Sequence, residues 1–180
     1  MRIVAGAWRG RGLVAPAGQT TRPTADRVRQ ALFNMLMHAP WAGRGAVEGA
    51  VVLDGFAGTG ALGLEALSRG AARACFVESD PAALRALRDN IAACGAGDRC
   101  KVEGDVLRLG PGEAATLIFL DPPYGQELVP QALERLRQAG RVGLNALVVA
   151  EMGREETWTP GQNVLAERAH GAARVLVFRA

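Results

Sequence analysis

The spacing of apolar and polar positions changes period repeatedly along the chain. Residues 50–54 are an apolar run ending in Asp54, residues 62–69 carry apolar positions at helical spacing, and residues 74–78 are a second run ending in Glu78. Helical spacing returns over residues 81–94, with Pro81 suited to a first turn. A short strand is expected at 99–102 and a buried one at 117–121. Leu128, Ala132, Leu133 and Leu136 form another helical stripe, and residues 146–151 read as a fifth strand. Residues 164–169 and 173–179, joined across His170-Gly171, read as a closing hairpin. Ahead of these, Pro23-Thr24 opens a helix with Thr24 as N-cap and with Val28, Leu32, Met35 and Leu36 on one face, ending near Pro40. Residues 1–5 and 10–14, around Trp8 and several glycines, read as a small hairpin lying outside the main body.

Repeated βα units predict an α/β fold: a doubly wound, mostly parallel, seven-stranded Rossmann-like sheet with right-handed crossovers. The C-terminal hairpin adds antiparallel pairing. The small N-terminal hairpin and helix form an extension over residues 1–45, and residues 46–180 the main domain.

A chain of 180 residues suits one domain that buries roughly 70% of its unfolded surface, with no need of a disulfide or metal. Neither a signal peptide nor an apolar run approaching the ~18 residues of a membrane span is expected. Cys75, Cys94 and Cys100 form no CxxC pair and read as reduced, mostly buried thiols of a cytoplasmic protein. His38 and His170 lie far apart without neighbouring ligands, so no metal site is expected. A monomer is expected. The net charge of +3 hides an asymmetry: residues 1–30 hold six arginines against Asp26, a local +5 that leaves −2 for the rest. A basic arm on a slightly acidic body suggests a polyanionic partner. Twenty of the 21 basic residues are arginine, so only their clustering is informative.

Candidate chemistry begins at Asp54. The turn after it, Gly55-Phe56-Ala57-Gly58-Thr59-Gly60, lets a ligand approach the backbone closely. Glu78, with Ser79 beside it, can accept both ribose hydroxyls of an adenosine, and Asp105, next to Val106, can reach an adenine edge. Gly58, Gly60 and Gly63 also satisfy the dinucleotide fingerprint. In a nicotinamide site, however, the first glycine follows its strand almost directly, so that pyrophosphate meets the helix N-terminus. Here Asp54 intervenes, and its carboxylate would repel pyrophosphate but suits the sulfonium and ammonium of S-adenosylmethionine.

Asp121-Pro122-Pro123-Tyr124 follows the apolar run Leu117-Ile118-Phe119-Leu120. An exocyclic amine is a poor nucleophile while its lone pair is delocalised into the ring. The Asp121 carboxylate and the Pro122 carbonyl can accept its two hydrogens and draw that lone pair out. Both prolines fix φ and remove competing N–H donors. Tyr124, the single tyrosine, can stack on a base that has left its helix. The plainer alternative is an ordinary Asp-Pro turn.

With these motifs assembled, the chain resembles the class I S-adenosylmethionine-dependent methyltransferases with an Asp/Asn-Pro-Pro-Tyr/Phe motif. More closely it resembles the RsmD family of bacterial 16S rRNA guanine-N2 methyltransferases. The specific blocks are Arg2-Ile3-Val4-Ala5-Gly6-Ala7-Trp8-Arg9-Gly10-Arg11, then Arg22-Pro23-Thr24-Ala25-Asp26-Arg27-Val28-Arg29 and Leu32-Phe33-Asn34, with residues 53–70 following. That resemblance implies methyl transfer to N2 of one guanine in an assembled or nearly assembled small subunit, without a metal. It also implies that Arg2, Arg9, Arg11 and Arg22 hold the RNA backbone. Departures are small: Tyr124 stands where some relatives have Phe, and Thr59 where some have Ser. Three other readings share parts of the pattern. A DNA amino-methyltransferase (adenine N6 or cytosine N4) would need a target-recognition region for which 180 residues leave little room. A glutamine-N5 protein methyltransferase would usually show Asn in place of Asp121. A non-catalytic RNA-binding module would not need both strand-end acids.

Overall fold

The computed structural model describes residues 1–16, 23–161 and 163–180. Seven strands make one sheet: β1 (Val51–Asp54), β2 (Arg73–Val77), β3 (Cys100–Glu103), β4 (Ala115–Leu120), β5 (Val142–Gly153), β6 (Val164–His170) and β7 (Ala173–Arg179). Their order is β3-β2-β1-β4-β5-β7-β6, with β1 to β5 parallel and β7 antiparallel to both β5 and β6. Among the described residues, four α-helices accompany it: α1 (Pro23–His38), α2 (Ala61–Ser68), α3 (Pro81–Ala93) and α4 (Leu128–Gln138).

Alternation along the central strands builds a core on each face. Val52, Phe76, Leu117, Phe119 and Leu147 point to one side, where α2, α3 and the buried Phe33 and Leu36 of α1 cover them. Leu53, Val77, Ile118, Leu120 and Val148 point to the other, covered by Val129, Ala132, Leu133 and Leu136 of α4. Strands buried on both faces need continuous apolar runs, which is what the sequence supplies.

The strand order reverses between β1 and β4, so the loops leaving their carboxyl ends diverge and open a crevice. The reversal brings the glycine turn after β1 beside the Asp121 turn after β4. Opening α2, Gly60 has φ +79, and Asp54 accepts a hydrogen bond from the Gly63 N–H at 3.0 Å. In α3, Pro81 occupies the first turn and Asp80 caps the Ala83 N–H at 2.7 Å.

Three expectations change. Helix α1 starts at Pro23, so Thr24 lies inside it and is not its N-cap. Strand β5 starts at Val142, four residues early, because a register irregularity between Ala115 and Leu117 and the positive φ of Asn145 break the alternation there. The N-terminal turn has one bridge, Arg2 to Gly12, and packs into the body instead of standing outside it. Ile3 and Leu13 are buried in the α2–α3 core. Buried Glu65 accepts from the Val4 N–H at 2.8 Å and the Ala5 N–H at 3.1 Å, and it pairs with Arg69 at 2.7 Å and Arg29 at 3.5 Å. Among the described residues, no helix is long and apolar enough to cross a membrane.

Candidate active site

At the carboxyl edge of the sheet, one cleft of about 1080 Å³ is lined by Asp54, the 56–59 stretch of the glycine turn, Glu78, Ser79, Asp105 and all four residues of Asp121–Tyr124. Two motifs more than sixty residues apart therefore face the same space. Gly55, Gly60 and Val106 do not line it. A side chain at Gly55 would meet Leu120 and the Phe119 carbonyl, one at Gly60 would meet Leu87, and Val106 is buried in the α4 core. These three shape the walls from behind. Gly58 has φ +54 and open space where a Cβ would stand, so the backbone is bare toward a ligand.

Carboxylates dominate the floor. Asp54 is buried, and loss of hydration, with the Glu78 charge adding to it, outweighs the Gly63 hydrogen bond and raises its acid to about 7. Asp121 sits just past the last residue of β4 and is open to the cleft while protein surrounds its other sides. Loss of hydration, followed by the charges of Glu151 and Asp54, raises its acid to about 7. Such a site disfavours further negative charge and favours a cation. Among the described residues no group of side chains could hold a metal ion.

Glu78 holds its own loop. It accepts from the Gly58, Ser79 and Asp80 N–H groups, each at 2.7 Å. An ionised carboxylate accepts about four hydrogen bonds, so one acceptor position remains for a ribose hydroxyl. Asp105 accepts from the Leu107 N–H at 2.9 Å, presenting the part-exposed Leu107 side chain as an apolar surface in the same cleft.

The sequence reading did not single out Glu151, which follows Ala150 in β5 and lines the cleft. The Tyr124 hydroxyl donates to Glu151 Oε1, and burial together with that bond pushes the Tyr124 acid up. Glu156 accepts from the Gly125 N–H at 2.9 Å and the Gly153 N–H at 3.1 Å, tying the Asp121 turn to the end of β5. Buried Asn90 on α3 was also missed. It donates to the carbonyls of Thr59 at 2.9 Å and Val14 at 3.0 Å, joining the glycine turn to the N-terminal segment. A buried amide in a mostly apolar helix face was the available signal for it.

The arginines divide. Arg2 is exposed and reaches Asp26 at 4.0 Å, and Arg9 is exposed with no partner among the described residues. Arg11 donates to the Ala93 carbonyl at the end of α3. Arg22 lies outside the described residues. Trp8 carries the Arg99 guanidinium over its ring at 5.1 Å, and Trp158 meets Phe178 edge-on at 6.0 Å. All three cysteines are free thiols, and burial pushes Cys75 and Cys100 to about 11, where little thiolate forms.

This geometry has known relatives. A family model described as "Conserved hypothetical protein 95" matches residues 1–179. Ribosomal RNA small subunit methyltransferase D of Escherichia coli K12 is 40% identical over 153 residues, 84% of this chain and 74% of that protein. The protein of the same name in Haemophilus influenzae is 35% identical over 175 residues, 88% of this chain and 85% of that protein. A solved Escherichia coli structure superposes with TM-score 0.85 at 34% identity, covering 99% of this chain and 97% of the other. A solved Thermus thermophilus protein gives 0.76 at 30%, covering 100% and 99%. A match across nearly all of the sequence, with the same sheet, means that this chain belongs to the ribosomal RNA small subunit methyltransferase D family.

Proposed function

We propose that this protein transfers a methyl group from S-adenosylmethionine to the exocyclic N2 of a guanine in small-subunit ribosomal RNA. The observation that carries the reading is the sharing of one cleft by the Asp121 turn and the acid-lined glycine turn. The names of the relatives, ribosomal RNA small subunit methyltransferase D, support the RNA substrate.

The residues suit the methyl donor. Asp54, Glu78 and Asp121 give the cleft the negative character that a sulfonium and an ammonium need, and bare backbone at Gly58 admits close approach. Glu78 and Ser79 would hold the ribose and Asp105 the adenine edge, with Leu107 beside it. When bound, the donor supplies an electrophilic methyl carbon. Asp121 would accept one amine hydrogen and the Pro122 carbonyl the other, freeing the nitrogen lone pair for in-line attack. Asp121 then takes the proton that the product nitrogen loses. Tyr124, about half exposed and tied at its hydroxyl, offers its ring face to the flipped base. The RNA would approach across residues 1–45, where Arg2, Arg9 and Arg27 are exposed cations and Arg22 would be a further contact. Arg11, spent on the Ala93 carbonyl, would act by fixing the turn.

Incubation with labelled S-adenosylmethionine, purified small ribosomal subunits or duplex DNA, and mass-spectrometric mapping of the product tests this. Label in N2-methylguanosine of the small subunit is expected. Label in N6-methyladenine or N4-methylcytosine of DNA would replace this reading with the DNA enzyme.

A further inference from the structure

We propose that Glu151 selects guanine, accepting the N1–H of the target base while Asp121 accepts its exocyclic amine. The inference rests on the function proposed above and goes further by naming what reads the base.

Register is the first observation. Leu120, the last residue of β4, pairs with Ala150 across parallel strands, so Asp121 leaves β4 beside Glu151, which β5 still holds in the sheet opposite Val175 of β7. Strands in a sheet lie about 4.8 Å apart, which lets carboxylates on the two chains converge on one base edge. Both residues line the same cleft, and the charge of Glu151 is felt at Asp121.

Orientation is the second. Tyr124 donates to Glu151 Oε1, which anchors that oxygen, while Oε2 has no hydrogen-bond partner among the described residues. Because Tyr124 belongs to the Asp121 turn, the ring that would stack on the base and the carboxylate that would meet its edge are one unit.

Chemistry supplies the third step. Guanine presents two neighbouring donors, N1–H and the N2 amine. Adenine sets its amine beside a bare N1 lone pair, and cytosine sets its amine beside a bare N3. Two adjacent acceptors match guanine alone, since either other base would turn a lone pair toward a carboxylate. A hydrogen bond from N1–H to Glu151 also pushes electron density through C2 toward N2, the atom to be methylated. Asp121 alone would accept the amine of any of the three bases.

The test uses reconstituted small subunits in which the mapped target guanosine is replaced by 2-aminopurine riboside, which keeps the C2 amine but has a bare N1. The wild-type protein should prefer guanine by at least about 100-fold in kcat/KM, because a site built around an N–H donor rejects the analogue lacking it. Glu151→Gln keeps an oxygen for the Tyr124 hydroxyl and can turn an N–H toward N1. It should bring the two substrates to within about tenfold of each other while S-adenosylmethionine affinity by calorimetry stays unchanged. Should Glu151→Gln not fold, Glu151→Asp retains an acceptor and should preserve the preference at a lower rate. Equal use of both substrates by the wild type would overturn the proposal. So would an equal loss on both in Glu151→Gln, since that marks Glu151 as a support for Tyr124 only. Failure of the wild type to methylate guanine at all would remove the functional reading along with this one.

Discussion

At the residue scale, two raised acids, Asp121 and Asp54, set opposite pH dependences. In the proposed reaction Asp121 accepts the amine hydrogen most strongly, and can take the product's proton, only when ionised, and its acid stands near 7. We expect kcat/KM to rise with pH and level off above about 7, measured with subunits at fixed salt. Replacing Asp121 with Ala should lower methyl transfer by roughly 10²–10⁴-fold, the usual contribution of a positioned acid–base group, with donor affinity changed only a few-fold by calorimetry. Stability runs the other way. Asp54 is raised from 3.8 to about 7, so its contribution to stability is fully present below pH 3.8 and is lost as pH climbs through 7. Asp54→Asn keeps an acceptor for the Gly63 N–H and removes the titration. Its Tm relative to wild type should therefore become more favourable between pH 5 and pH 8, and a constant difference would contradict the assignment. Asp54 and Asp121 were legible in the sequence because each ends an apolar run and precedes an unusual turn. Glu151 ends one too, but nothing unusual follows it locally. Its partner Tyr124 lies 27 residues away, a separation only the folded sheet closes. Gly55, Gly60 and Val106 sit behind the cleft wall, a placement that sequence does not give because it does not tell which face of a turn looks outward.

At the element scale, the N-terminal turn is held by α2 and not by strands of its own. Truncating Glu65 would leave Arg29 and Arg69 buried beside two unpaired N–H groups, and breaking a buried pair typically costs about 3–5 kcal/mol. Glu65→Ala should show that loss in urea unfolding, with early proteolysis of residues 1–13. Gly6 is tighter still, with φ +81 and the site of a Cβ only 1.8 Å from the Ser68 carbonyl oxygen. Gly6→Ala should detach the turn, whereas Gly10→Ala, at φ +85 but facing open space, should cost only the backbone strain of about 1–2 kcal/mol. The glycines around Trp8 were visible in the sequence as a hairpin signal. The actual role of Gly6, close approach to Ser68, was not, because the partner lies some sixty residues away. Core strands and α2 to α4 were legible because burial on both faces or on one leaves an unmistakable period. The first residues of β5 were not, since Leu144 is 96% exposed and Asn145 breaks the alternation.

On the scale of the whole molecule, charge and topology are distributed unevenly. The exposed arginines Arg2 and Arg9 lie on the turn that Asn90 links to the glycine loop. Arg9→Ala should weaken binding to small-subunit RNA and flatten its dependence on salt by roughly 0.7–0.9 in log–log slope for each phosphate that is no longer neutralised. An unchanged slope would make Arg9 a bystander. Topology has a different consequence. Although β7 follows β6 in the chain, it lies between β5 and β6, so among the described residues β6 pairs with no other strand. During synthesis, β6 must therefore wait, unpaired, for residues that leave the ribosome after it, and those residues also bring Val177 and Phe178 to opposite cores. The cleft between the ends of β1 and β4 can form early, but the sheet that steadies Glu151 closes only when β7 slides into place.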